Sequence, residues 1–153
     1  MRNTKLIKLY ITVILVCITF NSFGQNTPEE IVSKFFTEYQ NDGASKALDN
    51  LYSNNKWMNR ATDSITKLKQ QLGTLNEDYV GKYYGYELIV EKRLSDSFIL
   101  MSFLVKFDRQ PIRFTFQFYK PDNEWRTHSF KYDGNIDDEI EESAKVYYLD
   151  LKK

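Results

Sequence analysis

Between Tyr79 and Tyr132 apolar and polar residues alternate with a period of two, and three short polar turns cut the run into four pieces. The pieces are about 82 to 93 (KYYGYELIVEKR), 97 to 107 (SFILMSFLVKF), 111 to 120 (PIRFTFQFYK) and 124 to 132 (EWRTHSFKY), joined by LSD, DRQ and PDN. Such alternation marks strands that bury one face. The connections are too short for a crossover, so the strands form an antiparallel meander. On the third strand Ile112, Phe114, Phe116 and Phe118 make an apolar ridge, with Arg113, Thr115, Gln117 and Tyr119 opposite. The second strand is apolar on both sides (Ile99, Met101, Phe103 and Val105 against Leu100 and Leu104), which requires a cover on its back.

The residues before Tyr79 follow a helical period. Thr27, Pro28, Glu29 and Glu30 supply a capping hydroxyl, a first-turn proline and acids at the positive end of the helix dipole. Ile31, Val32, Phe35, Phe36 and Tyr39 then form one stripe, ending near Asn41-Asp42-Gly43. A short helix over Ala44 to Tyr52 follows. The run SNNKWMN breaks the pattern and leaves Trp57 and Met58 in a loop or at an edge. A third helix runs from about Asn59 to Leu75 on Ala61, Ile65, Leu68, Leu72 and Leu75, with Gly73 at its fraying end. The closing NIDDEIEESAKVYYLDLKK is also helical, with Ile136, Ile140, Tyr147 and Leu151 near one face. This helix or a second copy of the chain would supply the missing cover. The fold class is therefore α+β: N-terminal helices packed on a curved antiparallel sheet of about four strands, with a C-terminal helix.

The first 24 residues read as a cleaved signal peptide. Arg2, Lys5 and Lys8 precede a charge-free apolar run from Leu9 to Phe20, too short for a span of about 20 residues. Ser22 and Gly24 fit the small-residue positions before a cleavage site, so Gln25 begins the mature domain, residues 25–153. Cys17 would be the anchor of a lipidated alternative, but bulky Val16 precedes it. Cleavage removes three of 21 basic residues and no acid, leaving 18 against 21, a net charge of −3. Nucleic acid is thereby disfavoured as a partner, and no membrane contact is expected after cleavage. The expected location is the periplasm or the exterior. The only cysteine also leaves, so the mature chain has no disulfide and no thiolate metal site.

Three helices leading into a four-stranded meander, with the stretches KYYGYE and RQPIRFTFQFYKP, resemble the nuclear transport factor 2-like superfamily (SnoaL-like, with a cystatin-like cone) over about residues 27 to 135. The likeness is to its small secreted bacterial members. It implies a curved sheet wrapped around a long helix and a cone whose wide end binds an apolar or aromatic small molecule. The superfamily spans isomerase-like, dehydratase-like and cyclase-like enzymes as well as noncatalytic binding and assembly domains, so the fold alone does not choose among them.

Chemistry is thinly signalled. His128 is the one mature side chain that titrates near neutrality when unperturbed, yet no carboxylate is forced beside it, and it is the weak catalytic candidate. Tyr84, Tyr86 and Leu88 share one side of the first strand by alternation, whereas Tyr83 and Glu87 share the other, which separates Glu87 from Tyr86. Asp133, Asn135 and Asp137 imitate the start of a calcium loop, but Asp138 stands where glycine is needed and Ala144 where a bidentate Glu is needed. There is no phosphate-binding glycine pattern and no nucleophile elbow. No cofactor or metal is expected. Trp57, Tyr84, Tyr86, Arg113, Trp125 and His128 are the candidate ligand-binding residues. The expected function is an exported noncatalytic domain that binds a small ligand or another protein. Two alternatives compete: a cofactor-independent lyase or isomerase with an apolar pocket, and a structural homodimer with sheets back to back.

Overall fold

The computed structural model describes residues 26–150, apart from the side chains of Asn59 and of residues 146–150. The expected leader, with Cys17 and the Gln25 cleavage point, lies outside the described residues, as does Leu151. Helix α1 (Pro28–Asn41) opens on a reciprocal cap: the Thr27 hydroxyl accepts from the Glu30 amide and the Glu30 carboxylate accepts from the Thr27 amide. Its stripe of Ile31, Val32, Phe35 and Phe36 is buried. Gly43, at φ 88°, turns the chain into α2 (Ala44–Ser53), which buries Ala47, Leu48, Leu51 and Tyr52. A 3₁₀ helix (Lys56–Ala61), α3 (Thr62–Gly73) and a one-turn α4 (Glu77–Val80) lead to the sheet.

Two boundaries differ from the reading of the sequence. The stretch around Trp57 is a 3₁₀ helix rather than a loop, because Asn55 caps it through the Trp57 amide. That turn takes the first residues expected of the third helix, so α3 begins at Thr62 and fully buries only Leu72. The short α4 was not foreseen.

Strands β1 (Tyr83–Ser95), β2 (Phe98–Phe107), β3 (Ile112–Tyr119) and β4 (Arg126–Asp133) form one antiparallel sheet in sequential order. Three single-residue bulges interrupt β1 opposite β2. One falls at Gly85, at φ 107°, and reverses the alternation after it. Tyr83 therefore shares the helix-covered face with Tyr86 and Leu88, contrary to simple alternation, while Glu87 keeps to the outer face beside Lys106. A bulge in β4 at His128 likewise sends Phe130 into the core and leaves His128 outside.

Between helices and sheet the interior is filled by rings. Phe35, Phe36, Phe114, Phe116 and Phe118 are all less than 2 % exposed. Phe116 sits 5.1 Å from Phe35, 5.8 Å from Phe103 and 5.0 Å from Phe130, centroid to centroid. Thr127 locks the layers together. Its hydroxyl donates to the Leu51 carbonyl at the end of α2, its amide to Asn54, and its carbonyl accepts from Asn55.

The C-terminal helix, α5 (Ile136–Asp150), is present as expected. Arg113 on the outer face of the sheet pairs with Asp133 and with Glu139 in the first turn of α5. Burial draws the Arg113 pKa down, but the two carboxylates outweigh it and the net shift is upward. Ile140, on the stripe meant to face the sheet, is 68 % exposed. On the outer face of β2, Leu100 and Leu104 are half-buried, while Ser102 between them is buried beside Thr115 of β3, the two hydroxyls 3.3 Å apart.

Candidate functional site

The six residues singled out from the sequence are dispersed. Trp57 is 57 % exposed on the 3₁₀ helix, with the cations of Lys56 and Arg60 over its ring at 5.3 and 5.4 Å. Tyr84 is exposed with Lys82 beside it, whereas Tyr86 stacks flat on Phe36 at 3.7 Å. Trp125 lies half-buried under Lys120 and Arg113 is held in its ion cluster. His128 is exposed, its ring 5.3 Å from Phe98. Among the described residues no hydrogen bond, ion pair or ring contact joins any two of the six, and no carboxylate hydrogen-bonds to His128. Nor do the described residues hold a group of three or more His, Cys, Asp or Glu placed to bind a metal ion, or a helix long and apolar enough to cross a membrane.

A concave site does exist, and it lies elsewhere. A cleft of about 290 Å³ opens where the end of α1, the start of α2, the end of α3 and the first residues of β1 meet. Its apolar lining is Ala44, Leu72, Leu75 and Phe107 with the rings of Tyr39 and Tyr83; Gln40, Asn76, Glu77 and Lys82 add polar groups. Tyr39 is placed by the last turn of α1, where its ring packs 6.0 Å from Phe35 and 5.7 Å from Phe114. Tyr83 is placed by the pairing of β1 with β2 and meets Phe107 at 5.8 Å. The two tyrosine rings stand 6.0 Å apart at 65°.

The corner that carries Tyr83 is rigidly tied. Gly81 sits at φ 83°, and a Cβ there would come within 2.7 Å of the Asp108 Cβ, so the chain passes the β2–β3 turn at glycine distance. The Asp108 amide donates to the Lys82 carbonyl, the Arg109 amide to the Val80 carbonyl, and the Arg109 guanidinium to the Tyr79 carbonyl. Asn76 caps α4 through the Tyr79 amide. These bonds hold one wall of the cleft while α1 and α2 hold the other.

Burial and neighbouring phenols raise the Tyr39 pKa. Burial, then Tyr86, pushes Tyr83 up to about 12. Both therefore stay neutral at any ordinary pH, able to donate and accept one hydrogen bond each, and the shift runs against use as a base or nucleophile. Neither hydroxyl has a hydrogen-bond partner among the described residues. Sequence reading missed this site because its residues come from four separated segments. The one local hint was Tyr39, a phenol at the polar end of an otherwise aliphatic and phenylalanine stripe.

A second hollow, of about 320 Å³, lies between α2 and α3 over Leu48, Tyr52, Met58 and Ile65, and the ion pair of Lys69 with Asp49 stands at it. Its two charged groups are paired to each other, the Tyr52 hydroxyl accepts from the Phe130 amide and the Ser53 hydroxyl donates to the Asn50 carbonyl, so it offers a ligand less than the tyrosine cleft does. No family model, curated protein or solved structure matches the chain.

Proposed function

We propose that the chain is an exported, noncatalytic binding domain of the nuclear transport factor 2-like kind that takes a small ring-bearing molecule with one hydrogen-bonding oxygen. The leader-like composition of residues 1–24 supports export, and the order of helices and strands agrees with the resemblance. The observation that carries the ligand reading is the cleft at Tyr39 and Tyr83. It combines an apolar lining with two neutral, unpaired hydroxyls, which is how small-molecule sites join affinity to orientation. Its volume, about 290 Å³, suits a single-ring or fused-ring compound rather than a larger ligand. The ring-filled interior directs the ligand to this cleft and away from the centre of the fold.

Calorimetric titration of the mature chain with p-cresol and indole tests the reading. Tyr83→Phe should weaken p-cresol by about fivefold, the value of one net hydrogen bond. Ala44→Trp should fill the cleft and abolish binding of both. Unchanged affinity in Ala44→Trp would place the ligand elsewhere and overturn the reading.

A further inference from the structure

Strand β1 is the longest of the four, stands at the sheet edge, and among the described residues pairs only with β2. It is also the most exposed apolar segment: Leu94 is 83 % exposed, Leu88 53 %, and Ile89 and Val90 37 % each. An edge of this kind invites a further strand unless charges or bulges block it. β1 has both, and their positions are informative. Its bulges fall at Gly85, Ile89 and Leu94. Two of them, Gly85 and Leu94, lie symmetrically about the point between Ile89 and Val90, and the third, where Ile89 and Val90 together oppose Ser102, straddles that point. A straight peptide strand laid along this edge would meet a mismatch at each bulge. A second β1, running antiparallel about that point, would bulge in step with the first.

The same axis matches the side chains. Because of the Ile89 bulge, Tyr86, Leu88, Glu91 and Arg93 face the helices, and Glu87, Val90 and Lys92 face outward. Antiparallel pairing places residues of one face opposite residues of the same face. Rotation about the Ile89–Val90 point sets Tyr86 against Arg93, Glu87 against Lys92 and Leu88 against Glu91, each on its own face, and closes the centre with Ile89 and Val90 from both copies. It also brings exposed Leu94 over Gly85, where an added Cβ would meet nothing within 4 Å. Glu87 already holds Lys106 at 2.6 Å, while Lys92 has no acidic partner among the described residues. We infer that two copies of the chain join through their β1 edges into one eight-stranded sheet, with Glu87 of each copy facing Lys92 of the other. This pairing is edge to edge, unlike a back-to-back dimer, and stands independently of the tyrosine cleft.

Sedimentation equilibrium of the mature chain over a range of concentrations tests it. The expected result is a reversible dimer. Lys92→Glu, which sets like charges opposite each other twice, should weaken it by about tenfold or more. The exchanged pair Glu87→Lys with Lys92→Glu should restore it, and Leu100→Lys on the outer face should leave it unchanged. Circular dichroism melting checks that each variant folds. A chain that is monomeric throughout would overturn the inference. So would a dimer that Leu100→Lys breaks or that Lys92→Glu leaves intact. A monomer that captures a free strand peptide at β1 would show that the edge serves another partner.

Discussion

Phe116→Ala probes whether the space between helices and sheet is filled. Phe116 is fully buried, and its ring lies between 5.0 and 6.2 Å from those of Phe35, Phe36, Phe103, Phe118 and Phe130. Truncating a core Phe costs about 3–5 kcal/mol, the larger values arising where the surroundings cannot collapse. Here the neighbours are fixed from both sides. Phe35 and Phe36 sit on a capped helix, Phe103 and Phe118 on hydrogen-bonded strands, and Thr127 ties α2 to β4. The expected loss is therefore at the upper end, about 4–5 kcal/mol, out of a total of about 5–15 kcal/mol for a domain of this size. Urea unfolding followed by circular dichroism measures it, with the slope unchanged and the midpoint lowered. The hole left behind is apolar and enclosed, so the variant should bind benzene and regain thermal stability with it, whereas the parent chain should not. A loss below about 1.5 kcal/mol, or equal benzene binding by both proteins, would refute the closed interior.

Other outcomes follow from single contacts. Thr127→Val keeps the shape but strands the buried Leu51 carbonyl, and should cost about 2 kcal/mol in the same urea assay, with Thr127→Ser costing less. Gly81→Ala forces both a positive φ and a contact with Asp108, so melting should fall by several degrees, whereas the exposed Gly73→Ala should leave it unchanged or raise it. Tyr83 keeps its proton to about pH 12 in the folded chain and ionises near 10 when unfolded. Its contribution to stability is thus complete below pH 10 and is lost as pH rises toward 12, and in Tyr83→Phe a phenolate absorbance titration should lose a component near pH 12.

Much of the architecture was legible because its signals are local. The Phe ridge of β3 and the stripe of α1 each announce a buried face through their own period, and they meet in the core as that period requires. What failed to show was the effect of a single inserted residue. Alternation put Tyr84 with Tyr86 and Tyr83 with Glu87, and the bulge at Gly85 exchanged Tyr83 and Tyr84 between faces. A glycine within a strand was the available warning. At His128 there was none, since nothing in RTHSF distinguishes a bulged strand from a regular one. The need for a cover over Leu100 and Leu104 was legible from hydropathy, whereas the ion pair of Arg113 with Glu139, which ties the first turn of α5 to the sheet, joins residues far apart in the sequence. The cleft was illegible for a different reason. Tyr39, Leu75, Tyr83 and Phe107 are brought together only by the tertiary fold, so no stretch of sequence contains their arrangement.

A closed interior with an open cleft beside it can be tested by one measurement. Amide and aromatic NMR shifts of residues 25–153, followed during titration with p-cresol, should move at Tyr39, Gln40, Leu75, Gly81, Tyr83 and Phe107. The rings of Phe103, Phe116 and Phe130 should stay in place. Shifts centred on those interior rings, or on Trp57 or His128 with the cleft silent, would contradict it.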